Sequence, residues 1–193
     1  MRGAILARMF MLALAGCGGG PPPAPTPATP GGTPPQQAAA LFFALCAEPD
    51  PAVARAEAVR LGLQRPSEEV VREVLFGRAG SVFAVGAARN AALMLGDTPR
   101  ECEIWVPAVA PRDIDPDFSA GLGRMREAGA TTSLVNQAES AGGLTKTYLV
   151  TTPDRVARLF AFSPNRREEA TFRSVLTSTN DPARIADARL QAR

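Results

Sequence analysis

A run of glycine and proline near the amino end, Gly18 to Pro35, constrains the fold more than any other stretch of the chain. It holds no charged residue and no large apolar side chain. Such a segment cannot bury enough surface to offset its conformational entropy, and its prolines favour a semi-extended tether. The chain is therefore predicted to comprise residues 1–16, a tether over 17–36, and one domain over 37–193 that is long enough to build its own core.

The stretch before the tether has the features of an export signal. Arg2 and Arg8 supply positive charge, and residues 9–15 form a short apolar run that ends in small residues. A helix needs about 20 apolar residues to cross a bilayer, so this run is too short to be a membrane span. Its length and composition are typical of a signal peptide that is removed on export, here over residues 1–16.

The four residues Leu14-Ala15-Gly16-Cys17 resemble the lipobox of bacterial lipoproteins, in which a branched residue and two small residues precede the modified cysteine. The resemblance implies cleavage before Cys17 and acylation of this residue, which makes the lipid bilayer an expected partner. Gly18, rather than aspartate, follows the motif. Under the sorting rule of enteric-type bacteria this implies the periplasmic face of the outer membrane. An ordinary secretory signal that contains a cysteine by coincidence is the alternative.

Two cysteines remain once Cys17 carries lipid. Export to an oxidising compartment favours a disulfide between Cys46 and Cys102, which would stabilise the domain by about 4 kcal/mol through loop closure. A metal site is the alternative interpretation, but two cysteines in a chain without histidine make a poor ligand set. We therefore expect neither a metal nor a cofactor.

Hydrophobic periodicity predicts that helices come first and strands dominate later. Helical spacing turns Cys46 inward, while strict alternation over Glu101 to Val106 turns Cys102 inward and Trp105 to the opposite face. Helices are predicted over 37–47, over 51–61, from a cap at Ser67 to Gly77, and from a lead-in at 113–116 to Gly129. Strands are predicted over 81–87, 91–95, 101–106, 131–138, 144–152, 156–162 and 170–177.

This order of elements predicts an α+β fold. The N-terminal helices and the one central helix are expected to pack on an antiparallel sheet. Asp181-Pro182 then begins either a short helix or a frayed tail.

Several spacings within the domain are similar to those in a group of small, uncharacterised proteobacterial lipoproteins and exported proteins. These are Phe42-Phe43-x-x-Cys46, a Gly-x-x-x-x-Val strand, Cys102-x-Ile104-Trp105 and Thr147-Tyr148. The resemblance covers most of the domain and implies no activity.

The charge balance argues against a nucleic-acid partner. The chain has 21 basic and 19 acidic residues, and its excess of two positive charges equals Arg2 and Arg8 of the signal. The exported chain is therefore close to neutral. The basic surface that nucleic-acid-binding proteins present is not expected here.

The chain contains no histidine, which excludes Ser-His-Asp and Cys-His hydrolysis and most catalytic zinc sites. Lys146 is the only lysine, and no Ser-x-x-Lys motif leads into it, so we expect a solvated strand residue. The acidic stretch 113–117 fails the EF-hand pattern because Phe118 and Arg124 replace the required Gly and Glu. Its carboxylates are expected to stabilise a helix amino end, with a weak calcium site as the alternative.

Trp105 is the candidate partner-binding residue. If it were exposed on the sheet, its large ring could contribute strongly to an interface. The alternative is that a helix covers it on that side. Glu101 and Glu103 share its face, and exposed edge charges are their simplest interpretation, although acids paired for glycoside cleavage are another.

The sequence therefore predicts a membrane-anchored envelope lipoprotein whose domain is a non-enzymatic binding or accessory module. Its expected partner, besides the bilayer, is an envelope protein or glycan. A carboxylate-dependent cell-wall hydrolase and a structural subunit of an envelope assembly are the alternatives.

Overall fold

The computed structural model describes residues 32–47, 50–85, 91–97, 100–165 and 171–192. These ranges form the α+β fold that the sequence predicts, with five helices and seven strands among them. The helices are α1 (Pro34–Leu45), α2 (Pro51–Arg60), α3 (Glu68–Leu75), α4 (Pro111–Glu127) and α5 (Pro182–Gln191). The strands are β1 (Gly80–Val85), β2 (Ala91–Gly96), β3 (Glu101–Val106), β4 (Thr131–Ser140), β5 (Gly143–Thr151), β6 (Ala157–Pro164) and β7 (Ser174–Thr179).

The seven described strands make one antiparallel sheet in the order β1-β2-β3-β7-β6-β5-β4. The first three strands form a meander, and the last four form a second meander that returns to pair with β3. α4 joins the two meanders by carrying the chain from β3 to the far edge at β4. As a result β7 lies at the centre of the sheet and β1 and β4 lie at its edges.

Local capping signals fix where the helices begin. The side chains of Asp50 and Asp181 accept hydrogen bonds from the backbone N–H groups of Ala52 at 2.8 Å and Ala183 at 2.9 Å. In both helices a proline follows the capping aspartate, and proline suits this position because the first helical N–H has no partner within the helix. The segment after Asp181 is therefore a helix and not a frayed tail.

The first face of the sheet carries α1, α2 and α4 and holds the largest core. Fully buried phenylalanines dominate this core and contact one another edge-on or tilted, with ring centroids 5.2 Å apart for Phe42–Phe118 and for Phe118–Phe162. α1 and α4 approach closely at Gly121, where an added methyl group would overlap the ring of Phe43. The glycine is therefore required by helix packing.

The second face is covered in two separate places. α3 packs on β1 and β2 over a cluster that includes Val74, Met94 and Trp105. α5 packs on β4, β5 and β6 over a smaller cluster around Leu159 and Ile185. The sheet is thus covered by helices on both faces. The N-terminal helices and the central helix pack on it as the sequence predicts, and α5 adds cover at the carboxyl end of the chain.

The predicted elements are confirmed, and their boundaries differ by a few residues, most at the starts of α1, α4 and β7. α1 begins at Pro34, three residues before its predicted start, because proline is tolerated in the first turn. α4 begins at Pro111 and includes Pro116, whose missing N–H leaves an acceptor on the exposed side of the helix. The last strand runs over Ser174–Thr179 rather than 170–177.

Candidate functional site

The disulfide between Cys46 and Cys102 is present, as the sequence predicts. Cys46 is the C-cap of α1 and Cys102 lies on β3, with their Cα atoms 5.3 Å apart. Both are buried, at 0% and 5% exposure. The bond ties α1 to the middle of the sheet across 56 residues of sequence, so loop closure contributes about 4 kcal/mol in the chain-entropy model.

Cys17 and the other residues of the signal, together with the tether as far as residue 31, lie outside the described residues. Their roles remain predictions. In the part of the chain that the structure describes, no helix is long and apolar enough to cross a membrane.

A charged cluster on the second face lies between α3 and α5. We call Arg78, Glu101, Glu103, Trp105 and Arg184 the Arg78 cluster. Arg78 donates to Glu101 at 3.0 Å and to both oxygens of Glu103 at 2.9 Å, and Arg184 donates to Glu101 at 2.7 Å. The two glutamate side chains are only 9% and 8% exposed. The prediction of exposed edge charges is therefore wrong, because β3 lies inside the sheet and the side chains of Arg78 and Arg184 cover the two glutamates.

The position of Arg78 follows from the end of α3. Phe76 has a φ of 46° and Gly77 a φ of 81°, and this left-handed turn ends the helix. The Arg78 guanidinium then folds back and donates to the carbonyls of Leu75 and Val74. The cation thus binds the carbonyl end of a helix and two carboxylates at once.

The electrostatics of the Arg78 cluster are those of a structural network. The hydrogen bond to Glu103, with a further contribution from Glu101, raises the pKa of the Arg78 guanidinium despite its partial burial. Glu103 also accepts from the indole Nε1 of Trp105 at 2.7 Å, so both of its oxygens are engaged. Because its oxygens already accept three hydrogen bonds, the Glu103 carboxylate is poorly suited to act as a nucleophile or as a general base.

Trp105 is 6% exposed, which overturns its interpretation as an exposed partner-binding residue. Its ring packs edge-on against Phe172, with centroids 5.9 Å apart, and belongs to the core beneath α3. Alternation along β3 placed Trp105 on the correct face. It did not show that this face is also covered, because alternation identifies the face of a strand but not the element that packs on it.

Lys146 is paired and mostly buried, so the prediction of a solvated strand residue is wrong. Its Nζ donates to Asp115 Oδ2 at 2.6 Å, and the two side chains are 17% and 24% exposed. The hydrogen bond from Lys146 to Asp115 raises the pKa of the Lys146 ammonium above its usual 10.5. The pair joins α4 to β5, which gives Asp115 a partner that its position in the sequence did not reveal.

An open apolar depression of about 490 Å³ lies beside the end of α3. It is lined by Val71, Arg72, Leu75, Phe76, Gly77 and Arg78. Phe76 is 72% exposed at its rim, so the depression presents apolar surface to solvent. Among the described residues, no group of three or more acidic or cysteine side chains is arranged to hold a metal ion.

Comparisons with protein-family models, with curated proteins and with solved structures found no match to this chain.

Proposed function

We propose that the protein is a lipid-anchored component of a bacterial cell envelope, whose domain is held on a tether and acts as a non-enzymatic binding or accessory module. One observation carries the proposal: a signal-like stretch, a lipobox-like motif ending in Cys17, and a Gly/Pro-rich segment follow one another in the order that lipidation requires. Gly18 after the cysteine favours the outer membrane.

The buried disulfide supports export. Disulfides persist in oxidising compartments and are rare in the cytosol. The two cysteines of the domain lie on different elements, 56 residues apart in sequence, and still meet in the core. A disulfide between two elements of the core is consistent with folding in an oxidising compartment.

The described side-chain chemistry favours a binding role over catalysis. Both buried glutamates of the Arg78 cluster are engaged by arginine donors, and Lys146, the only lysine, is engaged by Asp115. Groups that are already neutralised by fixed partners stabilise the fold. Glu101 and Glu103, the two acids considered for glycoside cleavage, are therefore engaged in holding the fold.

Substitution of the lipobox cysteine tests the anchor. Cys17→Ser removes the thiol that receives lipid, so we expect the protein to lose incorporation of labelled palmitate and to leave the membrane fraction or remain unprocessed. Gly19→Ser, two residues away, is the matched control and should retain label and membrane partition. A Cys17→Ser protein that is processed and still partitions with membranes would contradict the proposal.

The sorting prediction has its own variant. In a host that follows the enteric-type rule, Gly18→Asp should move the protein from the outer-membrane to the inner-membrane fraction without changing palmitate incorporation. Density-gradient separation of the two membranes gives the distribution. If the wild type and the variant divide between the two membranes in the same way, outer-membrane sorting is contradicted, whereas the lipidation proposal is unaffected.

A further inference from the structure

The two edges of the sheet differ in how they are closed. At β1, the backbone N–H of Ala84 donates to the carbonyl of Gln64 at 2.7 Å, so a bridge from the preceding loop occupies part of that edge. At β4, no described strand pairs on the outer side. A row of ten residues there is therefore available for strand pairing.

The composition of β4 gives this edge little protection. Natural edge strands oppose pairing with another chain through β-bulges, charges or proline. β4 has a bulge but few charges and no proline. Residues 131–138 carry no charge, and most of them are exposed. Leu134 is an apolar side chain at 49% exposure in the middle of this row. Glu139 is the one charged residue of the strand.

A β-bulge at the centre of β4 changes which residues share a face. The register with β5 shifts between Leu134 and Asn136. Thr132 and Leu134 on one side of the shift lie opposite Val150 and Tyr148. On the other side, the residues on this same face are the odd-numbered ones, Gln137 and Glu139, which lie opposite Lys146 and Leu144. Thr132 and Leu134, before the bulge, therefore lie on the same face as Glu139 and Gln137, after it.

We propose that β4 pairs antiparallel with β4 of a second copy of this chain, about a two-fold axis that passes between Val135 and Asn136. Such an axis is normal to the sheet, so opposite residues must share a face. This register meets that condition along the strand, placing Ser133 opposite Ala138 and Leu134 opposite Gln137. Shifting the register by one residue would put opposite residues on different faces.

Charge complementarity at the ends of β4 favours a second copy over another strand. Arg126 donates to the hydroxyl of Thr132 at 2.9 Å, which holds a cation at one end of the strand. Glu139, at the other end, is bonded to Arg112. In the proposed register Thr132 lies opposite Glu139 of the second copy. Each Glu139 would then lie between Arg112 of its own chain and Arg126 of the second copy. The two-fold axis repeats this arrangement at the other end of the interface.

The resulting dimer joins two sheets of seven described strands into one continuous sheet. It buries Leu134 beside Gln137 and leaves α4 and α5, which contact β4, on either face of the junction. The proposal does not depend on lipidation, and its test can fail while the anchor stands.

Charge substitutions at Ser133 and Ala138 test the register. Both residues are exposed, and their partners on β5, Leu149 and Thr145, are uncharged. Ser133→Lys with Ala138→Lys would place like charges opposite each other twice in the dimer. Ser133→Lys with Ala138→Glu, the matched control, would place opposite charges there. Sedimentation equilibrium of the full-length protein in detergent should give a dissociation constant about tenfold higher for the first pair than for the second.

Cysteine cross-linking tests the same geometry independently. Opposite residues of an antiparallel pair lie within the Cα spacing that a disulfide needs, whereas the Leu134 residues of the two copies would be offset by two ladder steps and about 8 Å apart. The double variant Leu134→Cys with Gln137→Cys should therefore form an oxidised dimer, and Leu134→Cys alone should not. Circular dichroism melts of all variants confirm that the monomers fold.

Three results would overturn the proposal. One is a wild-type protein that sediments as a monomer at every concentration. This includes the case in which β4 pairs with a strand of a different polypeptide instead of a second copy. Another is an equal dissociation constant for the two charge variants. The third is cross-linking of the single cysteine variant as efficient as that of the double variant, which would place the contact elsewhere.

Discussion

The two faces of the sheet are stabilised in different ways. The first face is continuous and aromatic, with α1, α2 and α4 over one phenylalanine-rich core and the disulfide at its centre. The second face is divided into two small apolar clusters under α3 and α5, with the Arg78 cluster between them. Apolar area supports one face, whereas buried ion pairs organise the other. The two faces should therefore respond differently to substitution.

The largest effect is expected in the phenylalanine core. Phe118→Ala removes a fully buried ring that contacts Phe42, Phe43 and Phe162, so the free energy of unfolding should fall by about 3–5 kcal/mol. Urea unfolding followed by tryptophan fluorescence provides the measurement. Leu190→Ala, at a site 70% exposed, is the control and should change stability little. Comparable losses in both variants would contradict the assignment of the first face as the main core.

Glu103→Ala is the corresponding change on the second face. It leaves Arg78 and the Trp105 indole without their shared acceptor, at a site where Arg78 remains 31% exposed to water. We expect a loss of about 2–3 kcal/mol, below that of an uncompensated fully buried charge. Arg184→Ala removes a cation that is 48% exposed and should lose less than about 1 kcal/mol. The reverse order would show that α5, rather than α3, holds the cluster together.

Two glycines of α4 provide a matched pair with opposite signs. Gly121→Ala would force the new methyl group against the Phe43 ring, so stability should fall by about 1–3 kcal/mol. Gly123→Ala meets only the end of the Arg126 side chain at 3.8 Å and should gain up to about 1 kcal/mol from helix propensity. Thermal unfolding of both variants decides this. If Gly121→Ala were also stabilising, α1 and α4 would not approach as closely as described.

A small effect that depends on pH is expected for the Lys146–Asp115 pair, which joins α4 to β5 on the first face. The pKa of the Lys146 ammonium is raised in the folded state above its usual 10.5. The protonated ammonium therefore contributes stability that is fully present below pH 10.5 and is lost as the pH rises through the raised pKa. Lys146→Met should therefore cost about 1 kcal/mol at pH 8 and progressively less above pH 10.5. Urea unfolding across this range provides the comparison. A difference that does not change with pH would mean that the lysine acts through packing alone.

The comparison also explains what could be predicted from the sequence. Alternation over β3 identified Cys102 as buried, and helical spacing identified Cys46, so the disulfide of the first face was predictable. Asp50 and Asp181, each followed by proline, marked two helix starts. These signals are local, because each depends on residues a few positions apart.

The organisation of the second face was not predictable because it depends on long-range placement. Arg78 and Glu103 are 25 residues apart, and Arg184 and Glu101 are 83 apart, so nothing in their local sequence marks them as partners. The burial of Trp105 depends on α3 lying over β1 and β2. Lys146 likewise meets Asp115 only because α4 crosses back over β5. In each case the topology, rather than periodicity, sets the environment.

Intact-mass and peptide analysis of the protein, extracted from its own membranes without reduction, tests lipid anchoring and the disulfide in one experiment. We expect a chain that begins at Cys17, with acyl groups on that residue and a peptide pair linked through Cys46 and Cys102. An unmodified Cys17 within a longer chain, or a mature amino end beyond it, would contradict lipid anchoring. Free thiols at Cys46 and Cys102 would contradict folding in an oxidising compartment.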